Sequence, residues 1–112
     1  MDLCNKVIEY LQAVNAVLDK TPFKIAYRTR NEFLVYAVCR GEEYLNNALD
    51  EMTSMKILSR IEGDADKTER VLNDLDDLLK KTFEGMEKSI SLAKIDEMKK
   101  KLKRTQYTSF WS

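Results

Sequence analysis

Apolar residues return every three or four positions along most of this chain. Leu3, Val7, Leu11, Val14 and Leu18 make the first such stripe. It predicts a helix that starts after Asp2, a good N-cap, and runs to about Asp19. Thr21-Pro22 ends it, because proline disfavours helix in the residue before it. The segment Phe23-Lys24-Ile25-Ala26-Tyr27 alternates apolar with small or polar residues and reads as extended. A second helix is expected to open at Thr29-Arg30-Asn31-Glu32. This fits a capping box in which Thr29 and Glu32 satisfy each other's backbone amides. Phe33, Leu34, Ala37 and Val38 then supply its apolar face.

A third helix is predicted over roughly residues 44–61, with Leu45, Ala48, Leu49, Met52, Ile57, Leu58 and Ile61 pointing inward. The fourth follows about Asp66 and carries Val71, Leu72, Leu75, Leu78, Leu79 and Phe83 on one side. The last begins near Ser89 and buries Ile95, Met98 and Leu102. Gly41, Gly63 and Gly85 each follow a helical pattern, where a left-handed residue suits a helix end. No pair of strands is convincing, and there is neither an internal repeat nor a low-complexity stretch. The expected fold is all-α: a bundle of about five helices, with residues 1–112 as one domain. Helix formers dominate, with one Pro and three Gly in 112 residues.

Charge changes this picture only locally. Lys plus Arg and Asp plus Glu both total 19, for a formal net charge of zero. Residues 42–79 carry eleven acids against four bases, whereas residues 80–112 carry nine bases against four acids. Acidic and basic helices can attract each other within one bundle; a nucleic-acid footprint on the basic end is the sharper alternative. Cys4 and Cys39 suit a cytoplasmic protein with two buried thiols better than a disulfide framework. No apolar run approaches the roughly 18 residues needed to cross a bilayer.

Much chemistry is excluded outright. The chain has no His, so it offers no Ser-His or Cys-His pair and no His-based metal site. Neither glycine-rich phosphate loop occurs. The most informative spot is Tyr27-Arg28-Thr29-Arg30. A helix start leaves backbone N–H groups unpaired and favours negative charge, and arginine holds phosphate oxygens in a fork. Basic residues there oppose the helix dipole. Either an anion binds at Arg28 and Arg30, or they pair with nearby carboxylates. The run Lys99-Lys100-Lys101-Leu102-Lys103-Arg104 is a solvated helix face or a phosphate-backbone contact. Asp74, Asp76 and Asp77 make a weak metal candidate, since positions 76 and 77 diverge on a helix. Tyr107, Phe110 and Trp111 form an aromatic C-terminal tail that is expected to fold back onto the bundle.

Three stretches together resemble the C-terminal lid of McrB-like AAA+ ATPases, relatives of the motor component of 5-methylcytosine-specific restriction systems. They are Tyr27-Arg28-x-x-Asn31-Glu32-Phe33-Leu34-x-Tyr36; then Ala48-Leu49-Asp50-Glu51 with Lys56-Ile57-Leu58-x-Arg60-Ile61-x-Gly63-Asp64; and Ser91-x-x-Lys94-Ile95-x-x-Met98-x-x-x-Leu102 with Tyr107-Thr108-Ser109-Phe110-Trp111. The match spans almost the whole chain in order. Ser59, where the family often has Pro, and Gln106, where Gly usually precedes the aromatic, depart from the pattern.

The resemblance implies a non-catalytic lid, cut from or split off an ATPase whose Walker motifs precede it. Such a lid covers a nucleotide held in the core and offers a sensor-2-type arginine to its phosphates. Arg28 stands at the matching place, with Arg30 the neighbouring candidate. The cofactor, ATP or GTP with Mg, would belong to the parent protein and none to this chain. The implied partners are the AAA+ core and neighbouring ring subunits of a cytoplasmic DNA-restriction motor. Direct DNA binding by this chain is not expected. A free-standing helical protein-interaction module is the alternative.

Overall fold

The computed structural model describes residues 2–86 and 88–110. Five α-helices form among them: α1 (Leu3–Val17), α2 (Tyr27–Arg40), α3 (Leu45–Met52), α4 (Ala65–Thr82) and α5 (Ile90–Thr105). The all-α bundle read from the sequence is therefore the observed architecture. Asp2 caps α1 by accepting the Asn5 amide at 2.8 Å, and Ser89 caps α5 through the Leu92 amide at 3.1 Å. Asp64 does the same for α4 through the Lys67 amide at 3.3 Å, so that helix starts a little earlier than expected.

Several expectations are corrected. The Thr29–Glu32 capping box does not form: α2 begins at Tyr27, behind Ala26, with no side-chain cap. Thr29 then lies within the first turn, too far along for its hydroxyl to cap that turn. The segment before α2 forms no strand, but Asn15 holds it. Its Oδ1 accepts the Ile25 amide at 2.7 Å and its Nδ2 donates to the Ile25 carbonyl at 3.5 Å.

The predicted third helix is three different helices. After a short 3₁₀ turn at Glu42–Tyr44, α3 runs only to Met52, a π-helical turn follows over Thr53–Ile57, and a 3₁₀ turn over Leu58–Arg60. The physical reason is phase. At about 100° per residue, Ile57, Leu58 and Ile61 would sit roughly half a turn away from Leu45, Ala48, Leu49 and Met52. Changing the winding lets both groups reach one core, where all seven are buried. The Thr53 hydroxyl anchors the turn by donating to the Leu49 carbonyl at 2.7 Å. It is left to accept from the buried Tyr10 hydroxyl. Burial holds the Tyr10 pKa above its ordinary value, Thr53 opposes this, and Asp50 adds to it.

The strands the sequence did not reveal are β1 (Glu62–Asp64) and β2 (Tyr107–Ser109), an antiparallel pair with Gly63 opposite Thr108. Gly63 therefore sits in a strand and not at a helix end. Its φ of 143° favours glycine, and a Cβ there would sit a tight 3.3 Å from Thr68 Cγ2. The ribbon ties the tail to the bundle, and Phe110 packs against the core with Lys94 Nζ 4.5 Å from its ring centre. Trp111, the last aromatic of the tail, lies outside the described residues. Cys4 and Cys39 are exposed free thiols, against the buried pair that was expected.

The charge split closes on itself in part. Asp76 of α4 lies 2.9 Å from Lys99 of α5 and 3.0 Å from Lys80, and Lys100 pairs with Asp96. Burial alone would raise the Asp76 pKa, but Lys99 and Lys80 outweigh it and hold it below the ordinary 3.8. A depressed carboxylate stabilises the fold above its unfolded value, and that stabilisation disappears as pH falls through the folded one. Asp76→Asn should thus lower urea stability by about 0.5–1 kcal/mol at neutral pH and hardly at all in strong acid. An equal loss at both extremes would show that the bridge is not the cause.

Candidate functional site

Residues two apart on a helix point about 200° apart, so Arg28 and Arg30 cannot share one face of α2. Arg30 turns toward α1. Its guanidinium stacks over the Tyr27 ring, 4.4 Å from the centroid, beside Leu11, Asn15 and Ile25. Its Nε is buried and donates to no acceptor among the described residues. The stacking offsets part of that desolvation.

Arg28 turns the other way, to the mouth of a groove of about 580 Å³ between α2 and the α3–π-turn segment. It is exposed and makes no ion pair among the described residues. The groove is lined by Val35, Tyr36, Cys39 and Met52, with Glu32 and Lys56 on its rim. Glu32 and Lys56 pair at 2.8 Å. Farther along, the Tyr36 hydroxyl and Arg40 both donate to Glu51, and the ring of Tyr36 lies 6.0 Å from the Arg40 guanidinium carbon. The Arg40 pKa rises, first through its hydrogen bond to Tyr36.

The outward face of α2 is what the sequence reading missed. Arg28, Asn31, Val35, Val38 and Cys39 all face solvent, and Val35 and Val38 are 64% and 58% exposed. A solvent-facing helix normally carries charge there, as α4 and α5 do. In α2 the exposed stripe is largely apolar, with Arg28 its only charge. Val38, expected on the apolar face with Phe33, Leu34 and Ala37, is instead exposed, because it lies about 140° round the helix from Phe33 and about 100° from Ala37 and joins Val35 on the outward side.

The other candidates come apart. Among the described residues no cluster of His, Cys, Asp or Glu could hold a metal, because Asp76 is taken by two lysines and Asp74 pairs with Arg70 at 3.1 Å. In the basic run, Lys99 and Lys100 are engaged by Asp76 and Asp96. No described helix is long and apolar enough to cross a membrane.

A family model described as a domain of unknown function, DUF8727, matches residues 1–107. The chain belongs to the DUF8727 family. That match takes in the whole α2–α3 groove and stops at the start of β2. Neither the curated proteins nor the solved structures contain a match.

Proposed function

We propose that this chain is a non-catalytic lid of a McrB-like AAA+ nucleoside triphosphatase, docked on its partner through α2. In this reading Arg28 meets the phosphates of a nucleotide, ATP or GTP with Mg, that the core domain binds. The core and the adjacent ring subunits are its partners, and the assembly is a cytoplasmic restriction motor. The observation that carries the reading is the outward face of α2, an apolar stripe ending in an arginine that makes no ion pair among the described residues. The apolar part alone would serve a free-standing helical interaction module equally well. Arg28 adds a cation that phosphate oxygens could use, and whether its loss affects nucleotide hydrolysis separates the two, since a charged rim is usual at either kind of contact.

The isolated chain should hydrolyse neither ATP nor GTP. In the full-length ATPase, Val35→Glu should cut nucleotide hydrolysis at least tenfold by placing a charge in the docked face. The same substitution in the isolated domain should leave helix content and melting temperature unchanged, because Val35 is exposed. Wild-type hydrolysis by the Val35→Glu enzyme would end the docking model, as would steady turnover by the domain alone.

A further inference from the structure

Arg28 and Glu32 stand one turn apart on α2, the spacing at which opposite charges pair on a helix surface. Yet the Glu32 carboxylate is turned to Lys56, 2.8 Å away across the groove, and no carboxylate among the described residues pairs with Arg28. Lys56 comes from the π-helical turn Thr53–Ile57, the segment whose altered winding re-aims its side chains. The rim is then one closed pair plus one surplus cation. We propose that Lys56 is a positioning residue: by holding Glu32 on the α3 side of the groove, it keeps Arg28 from its intrahelical partner and open to an anion.

This rests on the phosphate-contact reading of Arg28, but the two can fail separately. Without Lys56, Glu32 has one cation left within a turn, and Arg28 becomes neutralised. With Glu32 also removed, Arg28 is free again, and the rim has its original net charge. Because the double variant also restores the rim's net charge, recovery of anion binding alone fits a general charge effect; the Arg28 side-chain resonance, which reports pairing of Arg28 with Glu32, assigns the effect to Glu32.

The test uses the purified domain labelled for NMR, reading the Arg28 Nε–H resonance, with inorganic tripolyphosphate as the anion. Lys56→Ala should shift that resonance, slow its exchange with water, and weaken tripolyphosphate binding about 1.5- to twofold, in line with exposed pairs at this spacing. The double variant Lys56→Ala, Glu32→Gln should restore both, and Lys56→Arg should resemble the wild type. An unmoved Arg28 resonance in Lys56→Ala, or no recovery in the double variant, overturns the proposal. If the resonance responds as described while wild-type protein ignores tripolyphosphate, the role of Lys56 stands and the phosphate reading falls.

Discussion

If the domain is an ATPase lid, as proposed, Arg28→Ala in the parent enzyme should lower nucleotide hydrolysis by roughly ten- to a thousandfold while leaving the fold intact. The size follows from what a guanidinium does beside a transferring phosphoryl group. Charge spreads over the phosphate oxygens as the bond breaks, and a fixed cation in a water-poor site stabilises it more than it stabilises the bound nucleotide. The indifference of the fold follows from the site. Arg28 is exposed, lacks an ion pair among the described residues, and opposes the α2 dipole. Its removal should cost nothing or stabilise the helix by up to about 1 kcal/mol.

Arg30→Ala should behave in the opposite way. It loses the stack on Tyr27 and its partly buried packing, so stability should fall by about 1 kcal/mol, with hydrolysis within about threefold of wild type. Turnover and melting temperature, measured on both variants, separate the two arginines. Unchanged turnover in Arg28→Ala, or equal losses in both, would remove the lid assignment from Arg28.

That separation could have been read from the sequence, since two positions on a helix differ by about 200° whatever the fold. The cluster Tyr27–Arg30 is therefore divided by helix geometry, Arg28 to one side and Arg30 to the other. The same phase rule divides residues 44–61, expected as one helix, because their two apolar groups fall on opposite sides of a straight one. The Asp2 cap and the start of the last helix near Ser89 were legible because a cap's chemistry is local, whereas the equally local Thr29–Glu32 signal lost to a helix that begins two residues earlier. The β1–β2 ribbon was not, because three residues are too few to show alternation and its central partners, Gly63 and Thr108, lie 45 positions apart. Nor did the pattern say that Glu32 would choose Lys56 over Thr29 or Arg28. That choice is made by a turn whose winding is set by tertiary packing.

Asp50 shows most sharply how a residue can look like surface and act as a keystone. Its neighbours in the sequence suggest a helix face, yet it is 2% exposed. Its carboxylate accepts the Ile90 amide at 2.8 Å, the Ser91 amide at 3.0 Å and the Ser89 hydroxyl at 2.7 Å. Its carbonyl accepts the Ser91 hydroxyl at 2.7 Å. A carboxylate on α3 thus satisfies the open amides at the start of α5, where the dipole also favours it. Asp50→Ala strands two amides and a hydroxyl at once. At about 1–3 kcal/mol for each unsatisfied group, with water recovering part of the loss, it should cost about 3 kcal/mol, or roughly 15 °C in melting temperature. Asp50→Asn keeps one acceptor oxygen but turns an NH₂ toward a donor, so it should lose about half as much. Amide exchange should accelerate first at Ile90 and Ser91, ahead of the α1 amides. A melting temperature within about 3 °C of wild type for Asp50→Ala would mean that Ser89 caps α5 unaided.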